Sequence, residues 1–104
     1  MNPHPPLSQA RGNFVRKLLD TTSKAKPGFN VIVIHTKHSY AFQGVRNVDW
    51  GHDHAEFQRD VPGTIGFEIY WFHKGWLRNE GDGGWLNWGY TGSPKREGGL
   101  LTYS

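Results

Sequence analysis

The stretch Gly75–Gly92 sets Trp76, Trp85, Trp88 and Tyr90 beside Arg78, Glu80, Asp82 and Asn87. Those residue types suit a sugar. A pyranose has an apolar C–H face that stacks on an indole, and its hydroxyls need donors and acceptors held in place. Gly81-Asp82-Gly83-Gly84 is the strongest turn signal in the chain, because glycine enters positive φ without a Cβ clash. If this loop closes a β-hairpin, Glu80 faces Trp85, Arg78 faces Asn87 and Trp76 faces Gly89. The outward face then carries Trp76, Arg78, Glu80, Trp85 and Asn87, while Leu77, Asn79, Leu86, Trp88 and Tyr90 turn to the core. A slip of one residue would exchange the faces. The expected ligand-binding set is Trp76, Arg78, Glu80, Asp82, Gly83, Trp85 and Asn87, Asp82 being framed by glycines that let the backbone approach a ligand. The competing reading is that these indoles pack on one another or fill a dimer interface. Nucleic-acid bases also stack on aromatics beside arginine, but nucleic acid is not the expected partner.

A second constellation is His52-Asp53-His54-x-Glu56. On an extended chain His52, His54 and Glu56 project to one side. Two imidazoles and a carboxylate are a conceivable transition-metal set, which His35 and His38 would join if their strands are adjacent. They could also act as a general base and its partner in a metal-free hydrolase or nuclease, with Lys37, Arg46 or Arg59 for a phosphate. The plainer reading is a hydrogen-bonded polar loop beside Trp50-Gly51. No Ser-centred elbow, P-loop or Gly-x-Gly-x-x-Gly fingerprint is present, so neither a catalytic residue nor a cofactor is expected.

These residues need elements to hold them. Phe14, Val15, Leu18 and Leu19 make one helical stripe with Arg11, Arg16 and Lys17 mostly off it. The spacing predicts a helix capped by Ser8, weakened by Gly12 and ended by Thr21-Thr22-Ser23 and Lys26-Pro27-Gly28. After Gly28 the pattern is β. Phe29–His35 is a continuous apolar, β-branched run, as expected of a central strand covered on both faces. Ser39–Val45, His54–Phe57, Thr64–His73, Trp76–Glu80, Trp85–Thr91 and Gly99–Tyr103 are the other strand candidates, with a turn at Asp60-Val61-Pro62-Gly63. The expected fold is α+β or mainly β: a small antiparallel sandwich or open barrel of five to seven strands with an N-terminal helix packed on it.

With 104 residues the chain is expected to form one domain: a Pro-rich start at 1–7 expected to be mobile, helix and linker at 8–27, and a β-domain at 28–104. Absence of cysteine excludes disulfides and thiolate metal sites. Met1–Pro6 has no apolar core, so a cytoplasmic protein is expected, or a secreted one if a signal has been removed. The net charge of +3 is uneven. Arg11, Arg16, Lys17, Lys24, Lys26 and Lys37 face Asp20 alone in the first third, a bias that attracts phosphate or anionic lipid or else marks a solvated helix face.

The run Gly81–Trp88 resembles the small cysteine-free lectins and defence proteins of fungal fruiting bodies. Asn30–His35 followed by Trp50-Gly51 gives a fainter resemblance to the aegerolysins, lipid-binding β-sandwich proteins. The first resemblance implies glycan binding without chemistry, strengthened by avidity in a homodimer formed through the helix or an exposed aromatic patch. The alternatives are a lipid-binding or cytolytic protein that uses interfacial Trp and Tyr, and the histidine-dependent hydrolase.

Overall fold

A computed structural model describes residues 7–59 and 62–104; the proline-rich start up to Pro6, Asp60 and Val61 of the expected turn, and the side chains of Leu7 and Ser8 lie outside the described residues. One helix, α1 (Leu7–Ala25), precedes eight strands. They are β1 (Asn30–Ile34), β2 (His38–Phe42), β3 (Trp50–Gln58), β4 (Thr64–Phe72), β5 (Gly75–Asn79), β6 (Trp88–Tyr90), β7 (Lys95–Glu97) and β8 (Leu100–Tyr103). The first sheet has the order β3-β4-β1-β6 and the second β2-β5-β8-β7, with antiparallel pairing throughout. This is the expected small sandwich with a helix packed on it, with one strand beyond the expected range. The additional one, β7, has the composition Lys-Arg-Glu and is exposed along its length, so no hydrophobic pattern announces it.

The helix begins before Ser8 and runs through Thr21-Thr22-Ser23, past both ends read from the sequence. Ser8 therefore sits in the first turn rather than at the cap. Threonine and serine are only mild helix breakers, and packing carries the helix as far as Ala25. Val15 and Leu19 are buried against Val31, Val33, Phe67, Ile69 and Trp71 on one face of the first sheet, with Phe14 and Leu18 at the margin. The other face of that sheet packs on the second sheet. There Ile32, Ile34, Tyr70, Phe72 and Trp88 meet Leu77, Leu101 and Tyr103. Both faces of β1 are thus covered, which is why Val31–Ile34 reads as an unbroken apolar run.

The hairpin expected at Gly81–Gly84 does not form. β5 and β6 lie in different sheets, β5 between β2 and β8 and β6 beside β1. Trp76 is therefore opposite Ala41 and Thr102 rather than Gly89, and Gly89 is opposite Val33. Asn87 and Trp85 precede β6 and pair with neither Arg78 nor Glu80. The glycine loop is a bridge between sheets, held by its own polar groups. Gly81 N–H donates to Asn79 Oδ1 at 2.9 Å and Gly84 N–H to Asp82 Oδ1 at 2.8 Å. The amide nitrogens of Asn79 and Asn87 both donate to the Asp82 carbonyl, at 3.3 and 3.2 Å. The indole N–H of Trp88 donates to the Gly83 carbonyl at 2.8 Å. Burial of Trp88 between the sheets requires the chain to cross here instead of turning back.

Candidate functional site

The expected binding set is divided by this crossing into two places. The first is the outer face of the second sheet. Alternation along β5 sends Leu77 and Asn79 inward and leaves Trp76 and Arg78 outside. Register places Ala41 and Thr102 on either side of Trp76, and Ser39 and Leu100 on either side of Arg78. Small neighbours leave the indole 39% exposed. Trp76, Arg78, Leu100 and Thr102 line an open depression of about 250 Å³. Its floor is strand backbone paired on both sides, so the geometry is rigid. Arg78 has no ion pair among the described residues.

The second place is a groove where α1, the inter-sheet bridge and β7 meet. Arg16, Gly83, Trp85, Trp88, Tyr90 and Arg96 lie along it, and its volume is about 260 Å³. Trp85 is 51% exposed. The hidden part of its ring lies over Gly12, where a Cβ would stand 1.8 Å from the indole. Gly12 is therefore not merely a weak point of the helix; it makes the space that seats Trp85.

The remaining members of the expected set serve the bridge or solvent. Glu80 is exposed, and its N–H donates to the Lys37 carbonyl at 2.8 Å. The Asp82 carboxylate holds Gly84. Asn87 is buried and accepts from Arg11 Nη2 at 2.8 Å. Asn87 as an outward ligand contact is therefore corrected: its amide is committed to the Asp82 carbonyl and its oxygen to Arg11. Leu100, Thr102, Arg16 and Arg96 went unread because they reach these two places only through pairing and packing distant in sequence.

The histidines form a third cluster at the open end of the sandwich. β3 and β4 place His52 opposite Tyr70, His54 opposite Glu68 and Glu56 opposite Gly66, all on the face turned toward the second sheet. Glu68 was not anticipated as their partner, although a lone carboxylate between Phe67 and Ile69 was a signal of it. Its Oε1 accepts from His52 Nε2 at 2.7 Å, and its Oε2 accepts from His54 Nδ1 at 2.6 Å. The other nitrogen of His54 lies 3.2 Å from Glu56 Oε2. A carboxylate at each nitrogen favours the protonated form of His54. Its pKa is raised, first by the hydrogen bond to Glu68, which outweighs the opposing effect of burial, and further by the charge of Glu68 and the hydrogen bond and charge of Glu56. Burial alone would push the Glu68 carboxyl up, but the hydrogen bonds from His54 and His52 outweigh it and hold it below its ordinary value.

His38 joins this end of the sandwich. Its Nδ1–H donates to the Thr36 carbonyl at 2.8 Å, so Nε2 is the acceptor and the Tyr70 hydroxyl donates to it at 2.7 Å. Burial, followed by the neighbouring Tyr40 and Glu68, pushes the Tyr70 phenol above its ordinary pKa and keeps it protonated. His35 is elsewhere, tilted on Phe67 at 5.4 Å on the helix side of the sheet; burial, then Arg11, lowers its pKa. Among the described residues no group of three or more His, Asp or Glu side chains is arranged to hold a metal ion. Within this cluster Glu68 bonds both His52 and His54, and Glu56 faces the second nitrogen of His54.

No helix among the described residues is long and apolar enough to cross a membrane. No protein-family model matches the chain, and no solved structure matches it significantly. Over 101 residues it is 28% identical to "Stress response protein YvgO" of Bacillus subtilis (strain 168), an alignment that takes in 92% of this chain and 56% of that protein. The chain thus spans little more than half the length of this relative. Neither a fungal lectin nor an aegerolysin is among these matches.

Proposed function

We propose that this chain is a non-catalytic carbohydrate-binding domain whose site is the outer face of the second sheet. The observation that carries the reading is the exposed ring of Trp76 above small neighbours, with Arg78 and Thr102 at its edges. The indole offers a stacking platform for the C–H face of a pyranose. The Arg78 guanidinium and the Thr102 hydroxyl supply hydrogen bonds to its hydroxyls. An open depression of about 250 Å³ has room for a single sugar ring and buries few of its atoms. Single-site binding is therefore weak, and avidity from a second copy of the chain would strengthen it.

The enzymatic reading would rest on the hydrogen-bonded His52, His54 and Glu68, which line neither the depression at Trp76 nor the groove beside α1. The name of the Bacillus relative adds a context, response to stress, in which binding of a glycan would act. The test is a glycan array with the wild-type chain and Trp76→Ala. Binding to a defined set of oligosaccharides that the variant loses is expected; no binding above background, or equal binding by the variant, rejects the proposal.

A further inference from the structure

The groove beside α1 lies away from the outer face of the second sheet and has a different chemistry. We propose that it is a second binding site, for a small ligand that joins a ring to an oxyanion, such as a phosphorylated sugar or a nucleoside monophosphate.

Charge is the first argument. The ion pairs among the described residues are Lys24–Asp20, Lys95–Glu97 and those of His52 and His54 with Glu68 and Glu56. No arginine takes part in them, yet two arginines border this one groove. Arg16 Nη2 donates to the carbonyls of Trp85 at 3.2 Å and Trp88 at 3.1 Å, which fixes the guanidinium against the end of the bridge. Arg96 Nε donates to the Gly98 carbonyl at 3.0 Å and its Nη1 to the Tyr90 hydroxyl at 3.3 Å. Each guanidinium has five N–H groups, so both keep donors free after these bonds. Two positioned guanidiniums with no carboxylate between them match an oxyanion. Asp82, the nearest acid in sequence to the groove's Gly83, is occupied by Gly84 N–H. Glu97, next to Arg96, pairs with Lys95.

Ring chemistry is the second argument. Arg96 lies over Trp88, 5.3 Å from the ring centroid, and 6.0 Å from that of Tyr90. Trp85 presents its half-exposed indole to the same groove, seated on Gly12. Gly83 adds backbone without a side chain in the way. At about 260 Å³ the space lies just below the ordinary range for ligand sites, which suits one small phosphorylated molecule and not a polymer. The basic bias of the first third of the chain, to which Arg16 belongs, favours the approach of such an anion.

The experiment is calorimetric titration of the full chain with AMP and with glucose 6-phosphate. Adenosine, glucose and inorganic phosphate are the controls. The expected result is that at least one phosphorylated ring binds, about tenfold or more tighter than its neutral counterpart and than phosphate alone. Which of the two binds more tightly identifies the ring. Arg96→Gln and Trp85→Ala each weaken that binding about tenfold while far-UV circular dichroism stays unchanged, and added salt weakens it further. The inference is overturned if neither phosphorylated ring binds, if adenosine, glucose or inorganic phosphate binds as tightly, or if both variants bind like the wild type. All ligands are also titrated into Trp76→Ala, which lacks the carbohydrate site, and the comparison is made there, so a sugar held at Trp76 does not count and the two proposals fail or succeed separately.

Discussion

The two sheets share one interior but differ in what lies behind them. The first is covered twice, by α1 on one face and by the second sheet on the other. Val31, Ile32, Val33 and Ile34 of β1 are all 0% exposed, and every side chain there is explained by packing. The second sheet is covered once. On β5, Leu77 is fully buried while its neighbours Trp76 and Arg78 stand in solvent. A continuous apolar run and an alternating one are thus the signatures of two-sided and one-sided burial. The difference isolates a large aromatic side chain for which the fold has little use, and that is the basis for assigning it to binding.

If this division holds, substitutions should separate into those that cost stability and those that cost only binding. The largest effect is expected on the inner face. Leu77→Ala leaves a cavity between the sheets and should destabilise the chain by about 2–5 kcal/mol, read from urea midpoints. A loss below about 1 kcal/mol would mean that the second sheet is loosely packed.

Next comes the helix cover. Gly12→Ala forces the Trp85 ring out of its seat, at a cost of about 1–3 kcal/mol for the clash, partly offset by the better helix propensity of alanine. A red shift of tryptophan emission should accompany it; unchanged emission would contradict the contact.

A smaller, pH-dependent effect is expected where the sandwich opens at the histidines. The raised pKa of His54 contributes stability that is present below the ordinary imidazole value of 6.5 and is lost as pH rises through its folded value. The lowered pKa of Glu68 contributes stability that is present above the ordinary carboxylate value of 4.5 and is lost as pH falls through its folded value. The two overlap between 4.5 and 6.5. Glu68→Gln should lower stability inside that window, remove the falls that bound it above 6.5 and below 4.5, and return the His54 titration, followed by NMR, toward its ordinary midpoint. Identical pH profiles for the two proteins would show that the cluster is not coupled to folding.

Much of this architecture was legible in the sequence, and what was not has a physical reason. Phe14, Val15, Leu18 and Leu19 marked the buried stripe of α1, and the apolar run of β1 marked the central strand, because these signals are local. Strand alternation brought His52, His54 and Glu56 to one side of β3, but not their partner Glu68, which is set by the register with β4. The hairpin between Trp76 and Trp88 was misread for the same reason. Three glycines permit a tight turn without requiring one, and the sheet that each flanking strand joins is decided by packing of Trp88 and Leu77 far away in the chain. Thr102 beside Trp76, Leu100 beside Arg78, and Arg96 beside Trp88 depend on that long-range pairing and left no trace in local spacing.

The smallest stability effect belongs to the residue with the largest expected role. Trp76→Ala should change folding stability by no more than about 0.5 kcal/mol, as for other surface substitutions. Titration of wild type and Trp76→Ala with the oligosaccharides that bind best on an array tests the central claim most directly. The account predicts saturable binding by the wild type and its loss in a variant of unchanged stability. Equal binding by both, or a variant that loses binding only because it unfolds, would contradict it.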